Sequence, residues 1–247
     1  LNQTFSTPTS GNKKTNCFCT INTNKKQIVV GVDKLYFFDY EESQDGNLAD
    51  SKPCIAVYYN EVFNTFVTAH LDCIKIWDAN GELKHVFRDI TDKEISSLCF
   101  DARKRKLFIG DVEGKLVLIN ILNGVQMKCF KKHKDYISSL VYFDLYKRII
   151  SASWDGYLHI HDDNSSDEMG DLIFRLDTKI SNTVNSCNSI SFLGEPFNLL
   201  AAGWDNGTVT LTNMKTLGNE GSLAEHKKVR LVSFIANYPA LIVCDDS

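Results

Sequence analysis

A short alternating segment recurs along the chain at a nearly constant interval, and this repeat constrains the fold more than any other feature. Successive copies start 39, 42, 42 and 51 residues apart. Alternation of apolar and polar residues is typical of a β-strand, and no helical periodicity accompanies it. The copies are Leu35 to Asp39, Ile74 to Asp78, Leu116 to Asn120, Leu158 to Asp162 and Val209 to Asn213.

Turn residues surround these segments at matching places. Glu113-Gly114, Asp155-Gly156 and Asn206-Gly207 precede three of the copies, and Asn80-Gly81 and Asn123-Gly124 follow two others. Such pairs tolerate positive φ and close tight hairpins. Four short strands in each period of about 42 residues are typical of a propeller blade. The sequence therefore predicts an all-β fold, a β-propeller with five recognisable blades and a partial sixth.

The repeat also predicts where each blade lies. We expect a leading loop at 1–16 and a repeated segment at 17–247. The chain begins with Leu1 in place of Met and stops midway through a repeat. These ends favour an open segment of a larger propeller. Extra residues within 162–188 are predicted to form an acidic hairpin and a polar loop. The predicted blades are approximately 17–48, 54–90, 94–132, 133–186, 187–225 and 226–247, the last incomplete.

Composition narrows the class of protein. The net charge is −4, whereas a protein that binds nucleic acid over its whole surface usually carries a large positive excess. No apolar run approaches the ~20 residues that cross a bilayer. The eight cysteines form no Cys-X-X-Cys pair and mostly interrupt apolar runs, which is typical of reduced thiols in a cytosolic core. These features predict a cytoplasmic protein that binds neither nucleic acid nor membrane.

With this spacing, the pair Trp77-Asp78 makes the chain resemble the WD-repeat family. The resemblance covers 17–247 and implies blades that hold a buried network of His, Ser or Thr, Asp and Trp. Trp77 stands at the family's Trp position, although the His that would precede its blade is missing. The residues 57–64, leading into Trp77, also resemble the large WD-repeat proteins of cilia and flagella.

The fourth repeat preserves the family's network best. By position, His133, Ser153 and Asp155 match its first three members, and His161 takes the place of the Trp. His226 matches the leading His of the incomplete repeat. The resemblance implies that these side chains have structural roles.

Catalytic and metal-binding alternatives have weaker support. His159 and His161 share one strand face and could begin a zinc site, but no third ligand stands at a recognisable spacing. The chain has no nucleophile elbow or comparable signature. We therefore predict no catalytic residue, no metal, no cofactor and no small-molecule substrate.

Two features are candidates for partner binding. The run Arg103, Lys104, Arg105 and Lys106 is the densest positive stretch, with Lys131 to Lys134 second, and both also fit solvated turns. Trp154 and Trp204 are predicted to lie in turns of neighbouring blades, where they would either meet a partner or cap an adjacent edge.

The resulting functional prediction is a non-catalytic scaffold for protein–protein interaction, in a ciliary, axonemal or other cytoskeletal assembly. Its expected partners are other proteins, including tubulin or axonemal components. The alternatives are a general cytosolic hub and a hydrolase with its site in a central channel.

Overall fold

The computed structural model describes residues 18–31, 33–39, 47–164, 168–177, 185–224, 226–235 and 238–246. In these residues every regular element is a β-strand, apart from a single 3-10 turn at Asp144–Tyr146. The predicted all-β fold of repeated four-stranded units is confirmed. Contacts divide the chain into two compact units, Leu1–Ile95 and Ser96–Ser247. The predicted leading loop lies outside the described residues. In the described part of the chain, no helix is long and apolar enough to cross a bilayer.

The first unit contains two antiparallel sheets, in which each strand pairs with the next. Sheet A comprises β1 (Phe18–Asn22), β2 (Gln27–Gly31), β3 (Leu35–Asp39) and β4 (Asn47–Asp50). Sheet B comprises β5 (Ala56–Asn60), β6 (Thr65–Ala69), β7 (Cys73–Asp78) and β8 (Leu83–Arg88). Phe37 of sheet A packs edge-on against Phe66 of sheet B, with ring centroids 5.1 Å apart, and Trp77 joins the same buried cluster.

The second unit contains the other four sheets. Sheet C comprises β9 (Ile95–Phe100), β10 (Lys106–Asp111), β11 (Leu116–Asn120) and β12 (Gln126–Phe130). Sheet D comprises β13 (Ile137–Phe143), β14 (Arg148–Ser153), β15 (Tyr157–Asp162) and β17 (Leu172–Asp177). Sheet E comprises β18 (Cys187–Leu193), β19 (Leu199–Trp204), β20 (Val209–Asn213) and β21 (Gly218–Leu223). Sheet F is two-stranded, with β22 (Val229–Phe234) and β23 (Leu241–Asp245).

In sheets C, D and E, the turn between the second and third strands depends on glycine, as the sequence predicts. Gly114, Gly156 and Gly207 have φ values of +89°, +82° and +83°. At Gly207 a Cβ atom would lie 2.0 Å from the backbone oxygen of His226. The turn therefore requires glycine both for its backbone conformation and for the close approach of the next connection.

A repeated hydrogen bond joins neighbouring sheets of the second unit. In each case the second residue of a first strand donates from its side chain to the backbone oxygen that begins the next sheet. The three bonds run from Ser96 to Ile137 (2.7 Å), from Ser138 to Cys187 (2.6 Å) and from Asn188 to Val229 (2.7 Å). The sequence repeat thus places one bond at the same point of each junction.

The insertion after β15 differs from the predicted acidic hairpin. Its described part forms β16 (Met169–Gly170), which leaves sheet D and pairs in parallel with β12 at the outer edge of sheet C. Cys129 N–H donates to the Glu168 oxygen at 2.8 Å. Gly170 permits this pairing because a Cβ there would lie 2.1 Å from the Phe130 ring. We name residues 168–170 the strap.

Candidate protein-interaction site

A buried polar network links the connection before sheet D to the second strand of the sheet and to the turn that follows that strand. His133 Nδ1 lies 3.0 Å from the Asp155 carboxylate, and Nε2 lies 2.9 Å from Ser151 Oγ. An ionised carboxylate only accepts, so Nδ1 carries a proton and donates it to Asp155. Burial opposes ionisation of Asp155, but the His133 ring and the Lys134 N–H outweigh it and lower the pKa of the carboxyl to about 2.

The assignment of Ser153 to this network is wrong. Ser153 Oγ donates to the Asp135 backbone oxygen at 3.0 Å and accepts from the Asp155 N–H at 3.1 Å, while Ser151 bonds to His133. Residues two apart on a strand point to the same face, so spacing alone did not distinguish the two serines.

His161 occupies the strand position at which the WD-repeat family has a Trp, but it does not make the hydrogen bond that a Trp would make there. It lies opposite Ile149, as Trp77 lies opposite Phe66 in sheet B. Both ring nitrogens of His161 are buried without a hydrogen-bond partner, as is Nδ1 of His159. The His159 ring stacks on His133, with centroids 3.7 Å apart. Burial, with smaller effects of nearby positive charge, lowers the pKa of His159 to about 4 and that of His161 to about 3, so both rings are neutral.

Sheet B has the hydrogen bond that sheet D lacks. Trp77 Nε1 donates to Thr68 Oγ1 at 2.9 Å, and Thr68 donates to Nε2 of His70 at 3.1 Å. His70 Nδ1 must be protonated, since it lies 2.8 Å from the Pro53 backbone oxygen, which can only accept. Asp78 stands outside this network and accepts the N–H of Asn80 at 2.8 Å in the turn before β8.

Sequence reasoning missed the buried ions beside this network. The Lys75 ammonium contacts the Asp50 carboxylate, and both side chains are 9% exposed. Burial opposes ionisation of Asp50, but the hydrogen bond from Lys75 lowers the pKa of the carboxyl below its ordinary value. The only signal was a lysine in the middle of an apolar strand, where alternation predicts an inward side chain.

Trp154 lies where the sequence predicts it, in the turn between β14 and β15, and is 43% exposed. Its indole stacks on the Tyr136 ring, with centroids 4.3 Å apart and planes 23° apart. The backbone N–H of Trp154 donates to the Tyr136 backbone oxygen at 3.0 Å. The turn therefore presents a fixed aromatic pair to solvent.

The prediction that Trp204 lies in an exposed turn is wrong. Trp204 is the last residue of β19, is 2% exposed and donates from Nε1 to Thr210 Oγ1 at 3.0 Å. It belongs to an apolar cluster built by sheets D and E, which includes Phe143 and Ile190. A partner cannot reach an indole that is enclosed in this way.

The four side chains of the basic run lie in different environments. Arg103 and Arg105 are exposed in the turn before β10. Lys104 has a φ of +55° and its ammonium lies 5.6 Å from the centroid of the Phe100 ring. Lys106 already belongs to β10 and its ammonium lies 3.2 Å from the Asp163 carboxylate. The four residues are therefore not a uniform positive loop.

Asp163 is the centre of a second buried cluster that the sequence did not reveal. Its carboxylate accepts from the Tyr142 hydroxyl at 3.2 Å, in addition to Lys106. Lys128 donates to the Asp163 backbone oxygen at 2.6 Å. Burial, with the adjacent Asp163 charge, raises the pKa of Tyr142 well above its ordinary range. A groove of about 310 Å³ opens beside this cluster and is also lined by Arg103 and Lys147.

The serine, histidine and aspartate of sheet D have the connectivity of a hydrolase triad, but not its access. Ser151 has no exposed surface, and His133 is 2% exposed. A nucleophile must reach the substrate, so this arrangement is structural in the present conformation. In the described part of the chain, no three His, Cys, Asp or Glu side chains are grouped so that they could hold a metal ion.

Comparison with known proteins agrees with the repeat architecture. No protein-family model matches the chain. It is similar to cilia- and flagella-associated protein 337 B of Tetrahymena thermophila, with 26% identity over 97% of the chain and 19% of that protein. It is also similar to the WD repeat-containing protein on Y chromosome of Drosophila grimshawi, with 30% identity over 51% of the chain and 12% of that protein.

The chain thus spans less than a fifth of either curated relative. Among solved structures, the computationally designed Ika8 protein matches 92% of the chain and 67% of its own length, with a TM-score of 0.72 and 17% identity. That likeness concerns the fold alone. The repeated four-stranded sheets and the two sequence relatives support a WD-repeat family, and one of these relatives is named as cilia- and flagella-associated.

Proposed function

We propose that the protein is a non-catalytic scaffold that presents loop surfaces to other proteins in a cytoplasmic assembly of the cilium or axoneme. The observation that supports this most directly is the sequence similarity to a relative named as cilia- and flagella-associated, because this similarity extends over 97% of the chain. The fold contributes the second argument, since sheets that pack against their neighbours leave turns free to vary and to bind.

A scaffold fits the polar groups better than an enzyme does. In the two polar clusters described above, His133 and Asp163 are buried and are bonded to neighbouring side chains. Buried networks of this kind hold strands and connections in place. The exposed groups that remain, Trp154 and the two arginines of the basic run, are typical of protein-binding surfaces.

Tubulin and other axonemal components are the partners that this proposal favours. Arg103 and Arg105 are free to attract an acidic protein tail, but Lys106 is bound to Asp163. Attraction between exposed charges is screened within roughly 8–10 Å at physiological salt. We therefore assign the basic run a weak supplementary contact and Trp154 the principal one.

Localisation of the tagged full-length protein in ciliated cells tests the proposal. We expect axonemal signal that resists detergent extraction, and weaker retention for Trp154→Ala. Leu145→Ala is the matched control, because Leu145 is an apolar side chain of similar exposure, 49%, in a different turn. An even distribution through the cytosol would overturn the ciliary assignment and favour a general cytosolic hub.

Co-sedimentation with microtubules tests the supplementary contact. The double variant Arg103→Glu/Arg105→Glu should bind less at low salt and about as well as the unaltered protein at high salt. Equal co-sedimentation at low salt would show that the basic run is a solvated turn.

A further inference from the structure

We give the name Trp154 surface to Trp154, in the turn of sheet D, together with three residues of the connection that precedes the sheet, Lys131, Lys134 and Tyr136. Trp154 and Tyr136 form the stacked pair at its centre. Lys131 and Lys134 lie on the connection that leads to Tyr136, and both are exposed. The surface lies within the second unit.

The backbone beneath the Trp154 surface is fixed from several directions. Asp155 accepts from the Lys134 N–H at 2.9 Å, from His133 at 3.0 Å and from the Tyr157 N–H at 3.1 Å. Ser153 adds a further link between strand and connection, because its hydroxyl donates to the Asp135 backbone oxygen. Because the connection and the turn are cross-linked, a ligand would find the aromatic pair already ordered and would lose little conformational entropy to it.

The charges of this surface are unbalanced towards positive. In the described part of the chain, no carboxylate lies within ion-pair distance of Lys131 or Lys134, whereas Lys132 is paired with Glu113 at 3.5 Å. Arg175, near the same end of sheet D, stacks on Tyr157 with 3.3 Å between guanidinium carbon and ring centroid. Asp135 is the exposed acid of the connection. In the described part of the chain, Lys131, Lys134 and Arg175 are thus accompanied by two acids, the exposed Asp135 and the buried Asp155, which leaves a positive excess.

We propose that the Trp154 surface binds an extended acidic protein segment that carries an apolar anchor residue. The anchor would cover the exposed face of the Trp154 indole, and its acidic neighbours would approach Lys131 and Lys134. This inference rests on the proposed scaffold function and specifies the chemistry of the partner. Sheet E supports the assignment by contrast, because Asp205 occupies the equivalent turn position and is bonded to Lys228 at 2.8 Å.

Fluorescence anisotropy with labelled synthetic peptides tests this inference on the full chain. The probe consists of Glu-Glu-Leu repeats, and the matched peptides are Lys-Lys-Leu and Glu-Glu-Ser repeats. We expect saturable binding of Glu-Glu-Leu and at least roughly tenfold weaker binding of the other two. Lys131→Glu/Lys134→Glu and Trp154→Ala should each weaken binding by roughly tenfold, whereas Arg103→Glu/Arg105→Glu should not.

Three outcomes would overturn the inference. The first is equal binding of the Glu-Glu-Leu and Lys-Lys-Leu peptides. The second is binding that Trp154→Ala leaves unchanged while circular dichroism shows an intact fold. The third is preferential binding to anionic lipid vesicles or to RNA, which would show that the cations serve a different class of ligand. The result is independent of localisation, since a protein absent from cilia could still bind the probe.

Discussion

Sheets D and E both carry Trp-Asp before the turn into their third strands, yet the two indoles lie in opposite environments. In sheet D, Trp154 stands two residues before Gly156 and is exposed, whereas in sheet E, Trp204 stands three residues before Gly207 and is buried. Pairing confirms the offset, because Ser153 and Trp204 take the same place opposite the first residues of β13 and β18.

The difference shows how strongly strand alternation controls the role of a residue. A shift of one position moves a side chain to the other face of a strand or out of the strand altogether. The two turns are equally long, because the Gly156 N–H donates to the Ser153 oxygen as the Gly207 N–H donates to the Trp204 oxygen. The Trp-Asp pair stands one position earlier in sheet E, which leaves Trp204 inside β19. Residue type alone therefore did not separate a core residue from a candidate binding residue.

Removal of the buried indole should have the largest effect. Trp204→Ala deletes a side chain that fills the cluster between sheets D and E and leaves the Thr210 hydroxyl without its donor. We expect a loss of about 3–5 kcal/mol in the free energy of unfolding, measured by urea denaturation of the full chain. A loss below about 1 kcal/mol would contradict the burial on which the comparison rests.

Acid should destabilise sheet D more than sheet E. The folded pKa values of His159 and His161, about 4 and about 3, lie below the ordinary histidine value of 6.5, so the unfolded chain binds more protons. Stability is therefore full above pH 6.5 and falls as the pH decreases towards about 4. Thr210 and Thr212 occupy the equivalent places in sheet E and do not titrate there.

A single variant isolates this effect. His161→Phe should reduce the loss of stability between pH 7 and pH 5 by about 2 kcal/mol, because each unit of pKa corresponds to about 1.4 kcal/mol. The measurement is urea denaturation at both pH values, with His85→Phe as the exposed-residue control. An identical pH dependence in the two variants would refute the assignment to His161.

The side-chain hydrogen bonds that join neighbouring sheets should make a smaller contribution to the free energy of unfolding. Ser138→Ala removes the donor to the Cys187 oxygen and should cost about 1 kcal/mol. Asn188→Ala should cost more, because the Asn188 amide also donates to Asp205. Thermal denaturation of both variants tests this ranking, and the reverse order would contradict it.

The smallest change in stability should follow removal of the exposed indole. Trp154→Ala should alter the free energy of unfolding by no more than about 0.5 kcal/mol, as is usual for surface substitutions, although some stacking on Tyr136 is lost. Urea denaturation beside Trp204→Ala provides the direct test. Similar losses in the two variants would remove the distinction between the two turns.

The strand content and the turns of this fold follow from local sequence, and therefore they could be predicted. Period-two alternation and the pairs that end in Gly114, Gly156 and Gly207 determine strands and hairpins within a few residues. The polar contacts depend on strands that are distant in the chain. Nothing in the sequence near Asp163 indicates that it contacts Lys106 and Lys128. Nothing in the sequence near Ser151 indicates that His133 bonds to it in preference to Ser153.

The strap also bears on how the repeats unfold. In repeat proteins, each unit is usually coupled to its neighbours through packing alone, so that opening can begin at any junction. Here a segment between β15 and β17 is hydrogen-bonded to β12, so sheet D cannot separate from sheet C without breaking a strand pairing as well as an apolar contact. Amide hydrogen exchange should therefore show these two sheets opening together as one cooperative unit, with the amide of Cys129 protected to the same extent as the interior of sheet D.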